Sequence, residues 1–226
     1  DNQTTENMEQ LTLTTAWDKV FPQSDKVNHS KITFRNRYGI TLAADMYVPR
    51  NANGKLPALA VSGPFGAVKE QSSGLYAQTM AERGFLTIAF DPSYTGESGG
   101  EPRYVASPDI NTEDFSAAVD FLSTLDNVDT QRIGIIGICG WGGLAVNAAA
   151  MDTRIKATVA STMYNMSRVN ANGYFDSMDA DARYELRQQL NDQRTINAKN
   201  GTSPPGGGVA DSLPYDAPCF VKDYHR

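Results

Sequence analysis

Between residues 58 and 160 the chain alternates short, continuous apolar runs with longer segments in which apolar residues recur every three to four positions. That alternation is the strongest constraint on what the chain can fold into. The runs 58–62, 85–91, 133–138 and 155–160 are short and apolar throughout, which suits strands buried on both faces of a sheet. Between them a helix is predicted over 72–83, stopped by Gly84. A second carries Phe115, Ala118, Val119, Leu122 and Leu125 on one stripe, and a third covers 144–151. Strand–helix repeats of this length imply a mostly parallel sheet with helices on both faces. Two earlier runs, 31–37 and 40–48, joined through Tyr38 and Gly39, read as an antiparallel hairpin leading that sheet.

Outside this region the pattern weakens. Residues 1–30 are polar, with Trp17, Val20 and Phe21 as expected anchors onto the main body. Residues 176–200 are charged and helix-prone, with Leu186, Leu190 and Ile196 as a thin apolar stripe, and GTSPPGGG at 201–208 is a break. The expected organisation is an extension at 1–30, an α/β core at 31–162 whose last strands are absent, and a helical cap or lid at 163–226.

Charge narrows the partners. A net charge of −6 and a pI near 4.9, with no Lys/Arg cluster, argue against a nucleic-acid backbone. No apolar run approaches a membrane span, so a soluble chain is expected. Cys139 and Cys219 have no zinc spacing, and a bridge between them is disfavoured because one lies in a strand-to-turn motif and the other in an irregular tail. The start at Asp1 fits a secreted or periplasmic protein after signal removal, and equally a cytoplasmic one.

The chemistry concentrates where the run 133–138 meets Gly137-Ile138-Cys139-Gly140-Trp141-Gly142-Gly143 and then a helix. Small residues allow a sharp turn that lifts the Cys139 side chain out of the sheet, and the helix N-terminus favours a developing negative charge. Free cysteines are often structural, but glycines crowded around one between a strand and a helix favour a nucleophile. Its partners are the backbone N–H of Gly140 and one from the loop Ser62-Gly63-Pro64-Phe65-Gly66. Proline has no N–H, so Phe65 is the first plausible donor past Gly63, with Gly66 next. Tyr94, in the Asp91–Gly100 loop, and Trp141 are candidates to touch substrate, although an exposed loop position is as natural for Tyr94.

The elbow GICGWGG, the loop GPFG and the segment DPSYTGESGG resemble the dienelactone hydrolase-like branch of the α/β-hydrolases, a branch that often uses cysteine where others use serine. The resemblance runs from about Lys31 to Ser161. It implies hydrolysis of an ester, lactone or thioester through a Cys139 acyl-enzyme, with a small-molecule substrate and without metal or organic cofactor. It also implies a triad in the order nucleophile, acid, histidine. Trp141 departs from the pattern, which usually has a small residue there.

The triad is the weak point. His29 precedes the first strand and has a packing role by default. His225, preceded by Asp216 and Asp223, has the right order but lies one residue from the end of the sequence. The branch places its acid and histidine after two more strands, which are not apparent here. A chain ending there leaves the run 155–160 as an apolar sheet edge, so a complementary C-terminal segment or a homo-oligomer is expected. The alternative to an enzyme is a catalytically incompetent fragment or interaction module that keeps the elbow but lacks the base. Redox sensing is weaker still, because no resolving cysteine is placed nearby.

Overall fold

The first turn shows how side chains outside the apolar core shape the sheet. The computed structural model describes residues 9–202 and residue 204. Strands β1 (Val27–Arg35) and β2 (Thr41–Pro49) pair antiparallel from Val27↔Pro49 to Arg35↔Thr41. Asn36 closes their turn: its Oδ1 accepts the N–H groups of Tyr38 and Ile40, both at 3.0 Å. Gly39 supplies the left-handed residue at φ 82°. The hairpin stands where the alternation placed it, with β1 beginning at Val27, inside the segment read as an extension.

The chain continues as β3 (Leu56–Ser62), α1 (Ser72–Glu82), β4 (Leu86–Phe90), α2 (Pro108–Ser123), β5 (Val128–Ile138), α3 (Gly140–Met151), β6 (Ile155–Ser161) and α4 (Met166–Asn172). The six strands form one sheet in the order β1-β2-β4-β3-β5-β6. β4 lies antiparallel to β2 and parallel to β3, and all five of its residues are buried. β3–β5 and β5–β6 are parallel. This is the mostly parallel, hairpin-led sheet expected of an α/β-hydrolase.

Strand alternation divides the core in two. Ala58, Ala60, Ile133 and Ile135 pack with Phe115, Ala118, Val119 and Leu122 of α2 and with Ala145 and Ala148 of α3. Leu59, Val61, Ile136 and Ile138 face the other way, onto Ala77 and Ala81 of α1. Phe21 belongs to this second cluster and Trp17 packs against it, but Val20, expected to anchor with them, is 74% exposed. The reason is register along an irregular segment: the Val20 N–H is spent on the Glu70 carbonyl at 3.0 Å while its side chain turns outward.

Two compact units divide at Asp179/Ala180, and residues 163–179 fall in the one that contains the sheet. α4, which the sequence did not suggest, is capped by Asn165 Oδ1 accepting the Arg168 N–H at 2.9 Å. In the second unit α5 (Ala180–Asn200) has no buried residue, and its Leu190 and Ile196 are exposed. No helix among the described residues is long and apolar enough to cross a membrane.

Two polar clusters hold the loops. Asp114 of α2 is fully buried and accepts Asn36 Nδ2 (2.8 Å), the Ser93 N–H (2.8 Å) and Oγ (2.7 Å), and Asn111 Nδ2 (3.1 Å). It thereby ties the β1–β2 turn and the loop after β4 to α2. The second cluster fastens residues 14–19: the Thr14 N–H meets Glu97 Oε1 at 2.7 Å, and Lys31 bridges Glu97 (2.8 Å) and Asp18 (3.0 Å). Burial alone would raise both carboxyls. Hydrogen bonds outweigh it, from Lys31 and Lys69 for Glu97 and from Lys19 and Lys31 for Asp18, and hold each at about 2.

Asp114→Ala takes the acceptor from four buried donors on three residues and is expected to cost roughly 3–5 kcal/mol, read from urea unfolding. The depressed Asp18 and Glu97 values mean that their contribution is fully present above the ordinary 3.8 and 4.5 and is lost as pH falls toward 2. Exchange of the Thr14 amide is therefore expected to lose its protection across that window, measured by NMR hydrogen exchange on the folded protein.

Candidate active site

Cys139 stands alone between β5 and α3, with no loop on either side. Its backbone lies at φ 58°, ψ −125°, a region that L-residues rarely occupy and that costs on the order of 1–3 kcal/mol. The half-buried side chain packs on the α1 side of the sheet, against the cluster that holds Ile136 and Ile138. The Cys139 N–H donates to Ser161 O at 2.9 Å, and its carbonyl accepts the Gly142 N–H at 3.0 Å. β6 and α3 thus clamp the reversal from both sides.

Packing explains the glycines around it. A Cβ at Gly137 would strike the Trp141 carbonyl and approach Ala145 Cβ to 2.7 Å; one at Gly142 would lie 2.9 Å from Met163 Cβ, and one at Gly140 would strike Met166 Sδ. These contacts also let α3 begin at Gly140 rather than at residue 144. Three glycines of poor helix propensity are wound into its first turn, with Trp141, by what surrounds them. The first N–H groups of a helix lack intrahelical partners, so Gly140 offers a donor beside the sulfur.

The loop after β3 meets this turn. Gly63, at φ 100°, is pressed on the elbow: a Cβ there would collide with the Ile138 carbonyl and lie 2.8 Å from Trp141 Cβ. The Phe65 ring, 44% exposed, faces the Trp141 ring at a centroid distance of 6.0 Å. The structure therefore brings Cys139, Gly140, Phe65 and Trp141 together. Trp141, however, is 3% exposed and belongs to the core between the sheet and the α2–α3 pair. This shows how a bulky residue fits the elbow: the indole packs inward beside Phe65, with little surface left for the substrate contact expected of it.

Tyr94 sits in the loop after β4, half-buried at φ 73°, with its ring over Gly100. His29 is on β1, hydrogen-bonded to Asp45 at 2.6 Å and packed between Trp17 and Tyr47. Four strand spacings separate β1 from β5, about 19 Å at ~4.8 Å each, so His29 cannot serve Cys139. His225, Asp216, Asp223 and Cys219 lie outside the described residues. A cavity of about 510 Å³ touches Gly140 and Trp141 and extends along α3 to Asn147 and Ala150. It lies on the α2–α3 side, away from the face against which Cys139 packs.

Unforeseen was a buried charge cluster at the end of the β3 loop. Lys69, whose side chain is fully buried, places its ammonium 2.9 Å from Asp91, 2.7 Å from Glu97 and 2.5 Å from Glu70. Burial alone would lower its pKa, but the Asp91 charge and the hydrogen bonds to Glu70, Glu97 and Asp91 raise it well above the usual range. Its one sequence signal is a Lys-Glu pair in an otherwise uncharged strand-to-helix loop. Carboxylate oxygens of Asp18, Glu70 and Glu97 lie within 4.8 Å of one another, yet Lys19, Lys31 and Lys69 already neutralise them, so ammonium groups occupy the place of a cation.

Comparison with known proteins places this arrangement in a wider group. The profile of the family described as X-Pro dipeptidyl-peptidase (S15 family) matches residues 38–202. The uncharacterized protein PA2218 of Pseudomonas aeruginosa is 62% identical over 224 residues, 96% of this chain and 58% of its own length. Its crystal structure superposes with a TM-score of 0.92 at 63% identity, covering 96% of this chain and 67% of that one. The uncharacterized protein YcjY of Escherichia coli is 40% identical over 177 residues, 76% of this chain and 58% of its own. The thiohydrolase aneE of Aspergillus aculeatus is 32% identical over 137 residues, 61% of this chain and 42% of its own. The chain thus spans 58% of the length of PA2218 and of YcjY.

The strained backbone can be tested without activity. Glycine tolerates φ 58° where alanine does not, so Cys139→Gly is expected to be more stable than Cys139→Ala by about 1 kcal/mol or more, from denaturant midpoints at equal slope.

Proposed function

The chain belongs to the X-Pro dipeptidyl-peptidase (S15) family of α/β-hydrolases, and from that premise we propose that Cys139 is the nucleophile of a hydrolase acting on an ester-like bond, a thioester foremost. The observation that carries this reading is the Cys139 backbone, forced to φ 58° at the junction of β5 and α3. Strain of that kind collects at working residues, and a purely structural cysteine has no need of it.

In this reading a base takes the thiol proton and the sulfur bonds to the carbonyl carbon. The resulting oxyanion gathers beside the N–H groups of Gly140 and Phe65. Collapse expels the leaving thiolate or alkoxide, which takes up the proton held by the base; water then attacks the acyl-enzyme as it gives a proton to the base, and release of the acid returns that proton to sulfur. The resemblance of GICGWGG, GPFG and DPSYTGESGG to the dienelactone hydrolase-like branch supports cysteine in this role. The name of the thiohydrolase relative supports a thioester. So does chemistry: a thiolate leaves unprotonated, whereas an amide nitrogen must first be protonated. Among the described residues the one histidine is His29, which is out of reach, so the reading assigns base and acid outside them. His225 is the candidate within this sequence.

The test uses the full chain on an acyl N-acetylcysteamine thioester, a p-nitrophenyl ester and an Xaa-Pro p-nitroanilide. Thioester and ester turnover are expected, with loss of roughly 10³-fold or more in Cys139→Ala and an acyl adduct on Cys139 in the intact mass of the wild type. Unchanged turnover in Cys139→Ala removes the sulfur from the mechanism. Cleavage of the anilide alone replaces the esterase reading with a peptidase. No turnover alongside normal alkylation of Cys139 favours the interaction module.

A further inference from the structure

The loop that carries Phe65 is held at two points. Its beginning is pinned by Gly63 against the Ile138 carbonyl and Trp141. The Ala67 N–H then closes a turn onto Pro64 O at 3.2 Å, with Phe65 inside it. Its end is pinned by Lys69, which grips both oxygens of one carboxylate: the backbone N–H meets Asp91 Oδ1 at 2.8 Å and the ammonium meets Oδ2 at 2.9 Å. Asp91 directly follows β4, the strand beside β3, so the grip fastens the loop to the rigid centre of the sheet. The Glu97 N–H completes the clasp on Asp91 Oδ2 at 2.9 Å, and a Cβ at Gly96 would collide with that carboxylate.

A buried ammonium among three carboxylates is a costly way to fill space, because charged groups lose their hydration there. An apolar side chain would pack the same volume at lower cost but could not hold Asp91 and Glu97 at once. We infer that Lys69 is a positioning residue for the oxyanion loop: by clasping Asp91 and Glu97 it sets where the Phe65 N–H stands relative to Cys139. The inference rests on the proposed hydrolase reading. It concerns the geometry of an electrostatic donor, to which transition states are far more sensitive than substrate binding is.

Lys69→Met leaves the fully buried Asp91 carboxylate without a counter-charge and can fail to fold, so the test variant is the charge-balanced K69M/D91N, with K69R as the conservative control. Four quantities are measured on the full chain: kcat, KM, the rate of Cys139 alkylation by iodoacetamide, and hydrogen exchange of residues 63–68. For K69M/D91N the expected result is a kcat lower by roughly 10- to 100-fold with KM and the alkylation rate within about threefold. Exchange over 63–68 is faster while β3 and β5 stay protected. K69R is expected to restore most of kcat. A kcat unchanged in the folded variant overturns the inference, as does a loss matched by an equal loss of alkylation. If the wild type turns over no ester at all, the hydrolase reading fails by itself. The exchange data then decide alone whether Lys69 holds the loop, and unchanged protection of 63–68 overturns that too.

Discussion

The backbone reversal at Cys139 makes demands on every element around it. A strand buried on both faces must end, one residue must turn through a left-handed conformation, and a helix must begin at once. Such a turn leaves no room for side chains beside it, which is why Gly137, Gly140 and Gly142 each touch a neighbour where a Cβ would stand. It also needs bracing, because strain of this kind persists only where the surroundings over-determine it. Ser161 at the end of β6, Met163 and Met166 on one side and Gly63 on the other supply the brace. The sheet order follows the same need: β3 and β6 flank β5, so the loops leaving both converge on its end.

Around this centre, polar groups do what apolar packing cannot. The loops after β3 and β4 contain little regular structure, yet both are immobilised through carboxylates buried beneath them. Asp114 collects Asn36, Ser93 and Asn111, and Asp91 collects Lys69 and Glu97. Each joins segments far apart in sequence: Asp114 sets the relation between a hairpin, a loop and a helix, and Asp91 the relation between two loops. Hydrogen bonds are directional and a hydrophobic contact is not, which suits them to fixing loops whose backbone must stand in one place.

The fold was legible because its signals are local. Continuous apolar runs at β3, β4, β5 and β6, the stripe Phe115–Ala118–Val119–Leu122 and the turn at Gly39 each reflect a periodicity or a steric need within a few residues. The elbow was legible for the same reason, since its glycines are neighbours in the chain. Less could be read where the deciding partner is distant. Nothing near Val20 distinguishes it from Phe21, and only the sheet shows that one is out and the other in. α4 is a short helix with a cap but no apolar stripe, and it carries no periodic signal.

Sequence alone determined the α/β class, the order of strands and helices from β1 to β6, and the placement of a cysteine at a strand-to-helix turn, because each depends on residue types within one turn or one strand. Tertiary structure alone decided that Trp141 is core, that His29 is hydrogen-bonded to Asp45 and lies four strands away from Cys139, and that Lys69 clasps the end of the loop after β3. Those outcomes depend on which strands lie side by side. Strand neighbourhood is settled by packing across the sheet and is not written in any local stretch of residues.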